Sequence, residues 1–221
     1  TGFDHVIIAT GVDPRDPQIE GQDLPHVHSY VEVLRDGVEI GKSAVVIGAG
    51  GIGFDLSEFL THGHAATPQT PDVTEWLTEW GVTDPATTRG GLSEAGPRPS
   101  APARAVTMLQ RKAERHGKRL GKTTGWIHRA TLKMKGVNMI GGVNYEKITA
   151  DGIHISFGEA RENPTFLPAD NVILCAGQVS QRSLGDTLIA AGHSVDIIGG
   201  ADFAGELDAK RAIDQGMRTA Y

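Results

Sequence analysis

The residues with the clearest chemical spacing in this chain are the glycines of Gly48-Ala49-Gly50-Gly51-Ile52-Gly53. A run of apolar, mostly β-branched residues precedes them, and apolar residues at helical spacing follow, which predicts a strand, a glycine turn and a helix. In such a turn the first glycine permits the bend, the second lets the backbone approach a pyrophosphate, and the third allows close packing of helix on strand. The first N–H groups of the helix then face the phosphates. The predicted dinucleotide-binding residues are Gly48, Gly50, Gly51, Ile52 and Gly53. The alternative is a close strand–helix crossing without a ligand.

The next predicted strand, residues 105–110, ends in Gln110-Arg111-Lys112. In NAD-binding units an Asp or Glu at this place accepts hydrogen bonds from the ribose hydroxyls. Here the chain offers one amide and two cations, which suits the 2′-phosphate of NADP. A solvated basic turn is the alternative.

Residues 120–124, Leu-Gly-Lys-Thr-Thr, resemble a phosphate-binding loop of the Walker type. That motif needs a glycine where this chain has His116, and it follows a strand, whereas these residues follow a polar loop. We therefore reject it. Lys118, Arg119 and Lys122 remain candidates for neutralising phosphates, with solvated charges as the alternative.

Three further segments end in small residues at points where a ligand could approach the backbone. Two short apolar strands, residues 4–11 and 170–177, end in Thr10-Gly11 and Ala176-Gly177, and we interpret them as equivalent strands. Two unrelated buried strands are the alternative. Near the end of the chain Asp202 follows Gly199-Gly200, and a helix is predicted from Glu206 and Leu207 to residue 220. Asp202 could accept hydrogen bonds from a polyol and the helix start could support an electron-rich ring edge, or Asp202 could merely cap that helix.

The remaining pattern predicts helices over residues 30–36 and 124–135, a strand over 137–140, and a hairpin of 144–148 with 153–157. Residues 65–104 break the pattern, since they hold six of the eleven prolines. Within this excursion we predict a short surface helix whose residues Trp76 and Trp80 anchor it to the core. Stacking of these tryptophans on a cofactor is the alternative. Long insertions of this kind are usually functional or form an interface.

Composition excludes several classes of function. A formal charge of −6 argues against a nucleic-acid surface, and no apolar run approaches the length of a membrane span. A single cysteine, Cys175, excludes an internal disulfide and a cysteine-based cluster built from this chain alone. We therefore expect a cytoplasmic protein, and we assign no catalytic residue and no metal ligand within the chain. Because the sequence opens inside an apparent strand without an initiator methionine, we expect a fragment.

Several segments together resemble one known family. They are Phe-Asp-His-Val-Ile-Ile-Ala-Thr-Gly at 3–11, Val-Val-Ile-Gly-Ala-Gly-Gly-Ile-Gly-Phe-Asp at 45–55, Leu-Gln-Arg-Lys at 109–112, Leu-Gly-Lys-Thr-Thr-Gly-Trp-Ile-His-Arg at 120–129, Ile-Gly-Gly-Ala-Asp at 198–202 and Glu-Leu-Asp-Ala-Lys-Arg-Ala-Ile at 206–213. In this order they resemble the C-terminal part of bacterial NADPH-dependent 2,4-dienoyl-CoA reductases. The segment at 120–129 is the most specific, because many flavoproteins that bind two dinucleotides share the other segments.

This resemblance implies an enzyme in which electrons pass from NADPH to FAD, through a 4Fe-4S cluster to FMN, and on to a dienoyl-CoA of unsaturated fatty acid β-oxidation. It implies an α/β fold in which a Rossmann-like parallel-sheet NADP-binding domain, residues 41–165, is inserted in a partial FAD-binding domain, residues 1–40 and 166–221. Thr10, Gly11, Ala176, Gly177, Asp202, Glu206 and Leu207 would then face FAD. The flavin barrel that binds FMN and substrate, the cluster cysteines and a first FAD glycine fingerprint have no counterpart in these 221 residues.

Two alternatives remain open. The same segment occurs in related barrel flavoproteins, such as enoate reductases or amine dehydrogenase-like enzymes. A non-catalytic nucleotide-sensing domain could also use this fold.

Overall fold

The computed structural model describes residues 2–62, 72–205 and 208–220. In chain order these residues form β1 (Val6–Ile8), β2 (Val12–Pro14), β3 (Val27–Ser29), α1 (Tyr30–Leu34), β4 (Ser43–Ile47), α2 (Gly51–Thr61), α3 (Val73–Trp80), β5 (Ala105–Gln110), α4 (Gly125–Met134), β6 (Asn138–Gly141), β7 (Val143–Thr149), β8 (Gly152–Phe157), β9 (Glu162–Pro168), β10 (Asn171–Leu174), β11 (Gln178–Ser180), α5 (Ser183–Ala190), β12 (Val195–Ile197) and α6 (Ala209–Ala220). A short 3-10 helix, Arg89–Gly91, lies between α3 and β5.

The chain divides into two compact units. The large unit is Gln18–Cys175, and the small unit combines Thr1–Pro17 with Ala176–Tyr221. The division therefore falls at other residues than the domain boundaries expected from the sequence at 40/41 and 165/166. The assignment of NADP to one domain and FAD to the other stays a prediction.

A five-stranded parallel sheet in the order β3-β10-β4-β5-β6 forms the centre of the large unit. As predicted, β4 and β5 are parallel neighbours, with Ile47 opposite Leu109. The strand β10 inserts between β3 and β4, whereas β1, which we took as its equivalent, lies in a sheet of the small unit. Strands buried on both faces read as continuous apolar runs, and Val45, Val46 and Ile47 are accordingly at most 1% exposed.

Helices α2 and α4 follow β4 and β5. The helix α2 begins directly after the fingerprint glycines and buries Phe54, Leu56 and Leu60 in the core that also contains Met108. The helix α4 adds Leu132 to the same core. This arrangement confirms the predicted alternation of strand and helix, in which the carboxyl end of each strand leads to the start of a helix.

The antiparallel sheet β7-β8-β9 follows β6. The predicted hairpin is confirmed as β7 and β8, with Thr149 opposite Gly152. The third strand, β9, was not foreseen, because most of its residues are exposed and polar residues interrupt the apolar pattern.

The described part of the excursion, residues 72–104, lies between α2 and β5. The helix α3 begins after Asp72, whose carboxylate accepts a hydrogen bond from the N–H of Thr74, and none of its residues is buried. Trp76 is 48% exposed, so the expectation that this residue anchors the excursion to the core is wrong. Polar contacts hold it instead: buried Lys135 pairs with Glu79 and donates to the Ser100 hydroxyl at 2.7 Å.

In the small unit, β1 pairs in parallel with β12, and β2 pairs antiparallel with β11. Helix α5 contacts β12, and Gly185 in α5 lies against Ile197 so closely that a Cβ there would be 2.7 Å from the isoleucine side chain. The last helix begins at Ala209, later than the predicted start at Glu206 and Leu207, which themselves lie outside the described residues. Asp208 precedes α6, and its carboxylate accepts a hydrogen bond from the Arg211 N–H at 2.7 Å.

Candidate cofactor sites

The glycine fingerprint forms a tight turn between β4 and α2. Gly48 has a φ of +123°, a backbone conformation that favours glycine, and its N–H donates to the carbonyl of Leu109 at 2.9 Å. A Cβ on Gly53 would lie 2.0 Å from the Gly48 carbonyl oxygen. The first and last glycines of the motif therefore allow the bend and the close approach of helix to strand that the sequence predicts.

The middle of the turn is open. A Cβ added to Gly50 or Gly51 would meet no atom within 4 Å, and Ile52 beside them is half-buried. No side chain caps α2 at Gly50, and the first N–H groups of a helix have no partner within the helix. Free backbone donors at a helix start, beside glycines with open space next to them, fit a pyrophosphate.

The second predicted binding segment lies beside this turn. Because β4 and β5 are parallel and Leu109 lies opposite Ile47, their carboxyl ends share one edge of the sheet. Gln110, at the end of β5, and the exposed residues Arg111 and Lys112 after it therefore flank the fingerprint at the edge where open α/β sheets bind ligands. The tertiary structure thus brings together the two segments predicted to bind the dinucleotide.

The side chain of Gln110 forms hydrogen bonds with its own loop. Its amide nitrogen donates to the carbonyl oxygens of Lys112 and Glu114, each at 2.8 Å. Lys112 O also accepts a hydrogen bond from the N–H of Gly142 at 3.2 Å. Both N–H groups of this predicted cofactor-binding residue are thus used within the loop.

The loop after β5, which we call the cationic loop, carries a concentrated positive charge. Residues 110–122 contain six Lys and Arg residues and one acid, Glu114, in a chain whose formal charge is −6. Glu114 pairs with Lys118 at 2.9 Å, and this hydrogen bond lowers the pKa of the carboxyl group. Arg111 lies close enough to Tyr145 to lower the pKa of its phenol, although burial dominates and raises that pKa to about 12. The charge of Glu114 is therefore matched locally, which leaves a net positive loop.

The small unit contains a cleft of about 350 Å³. Most of the residues around it are small or apolar: Ala9, Ile198, Gly199, Gly200, Asp208, Ala209 and Ala212. They follow the carboxyl ends of the parallel strands β1 and β12 and include the start of α6. Backbone and small side chains at such an edge fit the close approach of a flat or extended ligand. The sequence analysis did not name Ala9, Asp208 and Ala212 as site residues. Asp208 had a signal that could have identified it, because an Asp whose carboxylate accepts from an N–H three residues later marks the start of a helix.

One of the predicted flavin-facing residues, Asp202, lies in the loop between β12 and α6. Asp202 is exposed, and its carboxylate accepts a hydrogen bond from the amide nitrogen of Gln215 at 2.9 Å. The amide oxygen of Gln215 accepts a hydrogen bond from the Gly199 N–H. Arg211 donates to the carbonyl oxygen of Phe203 at 2.6 Å and lies 5.5 Å from the centre of its ring. These contacts fix the loop between β12 and α6. Asp208, and not Asp202, accepts the backbone hydrogen bond at the start of α6, and the contact of Asp202 with FAD stays a prediction.

The other predicted residues follow β1 and β10. The hydroxyl of Thr10 donates to the carbonyl of Gln181, and the carbonyl of Gly11, whose φ is +81°, accepts from the Gln181 N–H at 3.0 Å. Ala176 is half-buried. Gly177 is exposed and has a φ of +102°, and a Cβ there would lie 3.6 Å from the Arg15 guanidinium. These residues are structured turns of the small unit.

The family model for "pyridine nucleotide-disulphide oxidoreductase" matches residues 1–201. The chain belongs to this family. The match includes the fingerprint turn, the cationic loop and the β12 end of the cleft. The fold is accordingly a Rossmann-like α/β fold with a parallel sheet, as the sequence predicted, and the structure shows five strands in that sheet.

Three proteins show the range of enzymes that contain a similar segment. A metal reductase of Desulforamulus reducens is 26% identical over 199 residues, which are 90% of this chain and 28% of that protein. The structure of 2-naphthoyl-CoA reductase superposes with a TM-score of 0.69 at 21% identity, over 96% of this chain and 26% of that one. The structure of histamine dehydrogenase from Rhizobium sp. 4-9 superposes with a TM-score of 0.66 at 19% identity, over 99% of this chain and 30% of that one. This chain thus spans under a third of these relatives, and the two structural similarities show the fold.

Other classes of site receive no support from the described residues. None of the helices in the described part of the chain has the length and hydrophobicity that a membrane span needs. Within residues 2–62, 72–205 and 208–220, no three His, Cys, Asp or Glu side chains are placed to hold a metal ion. Cys175 is buried and burial raises the pKa of its thiol to about 12, so it is a neutral packing residue at pH 7. With one cysteine, the chain itself does not supply the disulfide in the family's name.

Proposed function

We propose that this chain is the pyridine-nucleotide-binding portion of an NADPH-dependent flavoenzyme of the 2,4-dienoyl-CoA reductase type. The supporting observation is the position of Arg111 and Lys112 at the end of the strand beside the glycine fingerprint. An acid at this place would accept hydrogen bonds from the ribose of NAD, whereas two cations suit the extra phosphate of NADP.

The roles of the residues follow from their chemistry. The N–H groups at the start of α2 bind the pyrophosphate, and the small fingerprint residues let it reach the backbone. The Arg111 guanidinium binds the 2′-phosphate in a bidentate manner, and Lys112 adds a point charge. In the small unit, Gly199, Gly200 and the start of α6 line the proposed FAD site, where Asp202 and Gln215 order the loop. When bound, NADPH supplies a hydride that FAD accepts.

The proposal also specifies the acyl substrate of the full-length enzyme. It rests on the resemblance of residues 120–129 to dienoyl-CoA reductases, and a structural neighbour is named for another CoA thioester, 2-naphthoyl-CoA. We propose that a flavin barrel with FMN and a 4Fe-4S cluster, outside these 221 residues, binds the dienoyl-CoA in the full-length enzyme. We also propose a cytoplasmic location, because the only cysteine of the chain is a buried thiol, which fits a reducing compartment.

A related barrel flavoprotein is the second candidate, and the fold similarity to histamine dehydrogenase favours it over a nucleotide sensor. An assay of the full-length enzyme separates these candidates. A dienoyl-CoA reductase oxidises NADPH when a 2,4-dienoyl-CoA is added, and an amine dehydrogenase reduces its flavin when an amine is added. A sensor binds NADPH and transfers no electrons to either substrate.

Calorimetric titration of the chain with NADPH and NADH tests the nucleotide assignment. Charge-assisted hydrogen bonds contribute about 1.5–3 kcal/mol each, so Arg111→Ala should weaken NADPH binding roughly ten- to a hundredfold and leave NADH binding nearly unchanged. Lys133→Ala is the matched control, because Lys133 is an exposed cation in the last turn of α4. Equal losses for both nucleotides in Arg111→Ala would show that Arg111 does not bind the 2′-phosphate.

A further inference from the structure

Gln110 joins two turns of the cationic loop through a single side-chain nitrogen. It is the last residue of β5 and is half-buried. Its amide donates to Lys112 O and Glu114 O at 2.8 Å each, so both amide protons are used on backbone carbonyls of the loop. Each of these bonds constrains the backbone that carries Arg111 and Lys112.

The other side of the loop is held by two glycines at the end of β6. The N–H of Gly142 donates to Lys112 O at 3.2 Å. A Cβ on Gly141 would lie 3.2 Å from Lys112 O, and one on Gly142 would lie 3.2 Å from the Cβ of Ala113. These contacts are tighter than ordinary packing, so the glycines let the loop lie against the sheet. The backbone of residues 111–113 is thus clamped between Gln110 and Gly141–Gly142.

The cations on this clamped backbone remain exposed. Among the described residues, no hydrogen bond or ion pair involves the side chain of Arg111 or Lys112, although Glu114 in the same loop is paired with Lys118. A rigid backbone that carries unpaired cations has already lost part of the entropy that anion binding costs.

We propose that Gln110 is a positioning residue that sets the NADPH-over-NADH preference without contacting the nucleotide. This inference rests on the proposed function. Gln110 holds the loop so that the guanidinium and the ammonium converge on one phosphate, and its loss releases the loop from β5. The fingerprint turn is a separate segment that binds the pyrophosphate common to both nucleotides, so NADH binding is insensitive to Gln110.

The test compares Gln110→Met with wild type by calorimetric titration with NADPH and NADH. Methionine keeps the length of the side chain and removes both donors. The expected result is a fall of about tenfold in the NADPH-over-NADH preference, with NADH affinity within about twofold. The dependence of NADPH affinity on salt should also flatten, because fewer cations engage the phosphate.

Two further variants keep the test decisive. Gln110→Asn retains the amide on a shorter side chain, so it should show an intermediate preference, and it replaces the methionine variant if that one does not fold. Asn171→Leu is the matched control, because the Asn171 amide donates to the His26 carbonyl at 3.3 Å at the start of β10, the opposite end of the parallel sheet from the loop that follows β5. This variant should keep the wild-type preference.

The outcomes separate this inference from the proposed function. If wild type prefers NADPH and the folded Gln110 variants keep that preference, or lose both nucleotides equally, Gln110 is not a positioning residue. If wild type itself shows no preference for NADPH, the proposed function fails, and the role of Gln110 fails with it.

Discussion

Gly53 faces the carbonyl oxygen of Gly48 so closely that a Cβ on Gly53 would lie 2.0 Å from it. The obstacle is backbone, which has no rotamer to move away. We expect Gly53→Ala to lower the free energy of unfolding by about 1–3 kcal/mol and to displace the start of α2. Urea denaturation followed by circular dichroism measures this loss.

Gly51→Ala is the matched control for that substitution. Gly51 is also in the first turn of α2, but a Cβ there would meet no atom within 4 Å. Alanine favours helix over glycine by up to about 1 kcal/mol, so this variant should be as stable as wild type or more so. Equal destabilisation by both alanines would contradict the close helix–strand crossing at Gly53.

The 221-residue chain should purify without bound FAD. The cleft in the small unit offers backbone and small side chains, but the one dinucleotide fingerprint of the sequence lies in the large unit, after β4. A flavin lacking a pyrophosphate site should dissociate during purification. Absorbance at 450 nm tests this expectation, and a yellow protein with one FAD per chain would refute the assignment of the small unit to an incomplete FAD-binding domain.

Cys175 should be unreactive in the folded protein. Burial raises the pKa of its thiol from 9.0 to about 12, and its side chain is shielded beside β4. A disulfide reagent such as Ellman's should release no colour at pH 8 until urea is added, and then one equivalent. Rapid reaction of the native protein would show that the Cys175 side chain, directly after β10, is accessible to solvent.

The same shift makes a prediction about pH. Above pH 9 the unfolded chain loses the thiol proton that the folded chain keeps, so the folded state binds more protons and the free energy of unfolding falls as pH rises from 9 towards 12. Cys175→Ala removes this contribution, and its stability should decline less steeply over that range. The raised pKa of Tyr145 acts in the same direction in both proteins and cancels in the comparison.

The ion pair of Lys135 and Glu79 should hold the excursion to the large unit. Lys135 has a side chain only 2% exposed, so replacing Glu79 leaves a buried charge without its partner. We expect Glu79→Gln to cost about 3–5 kcal/mol, and the double variant Glu79→Gln/Lys135→Met to recover much of that loss. A double-mutant cycle in urea measures the coupling. Additive losses would show that the pair does not connect the excursion to α4.

The sequence predicted those parts of the fold that depend on neighbours in the chain. The fingerprint turn needs glycine for its φ and for its close contact, and the alternating apolar residues of β7 and β8 specify a hairpin. Parallel pairing of β4 with β5 followed from the helix between them. The start of the last helix was predicted too early, although Asp208, a helix-start signal, directly precedes Ala209.

The sequence alone did not predict what depends on contacts between distant residues. Strand β10 follows β4 by well over a hundred residues, and only the assembled sheet shows that it lies between β3 and β4. The sequence shows that Gln110 offers an amide at the end of β5, and only the folded loop shows that its nitrogen donates to the carbonyl oxygens of Lys112 and Glu114. Trp76 looks like a core anchor, yet the fold buries Lys135 and uses a charge pair. Local sequence determines which conformations and chemical groups are present, whereas the tertiary structure determines which of those groups meet, because partners far apart in the chain become neighbours only in the packed sheet.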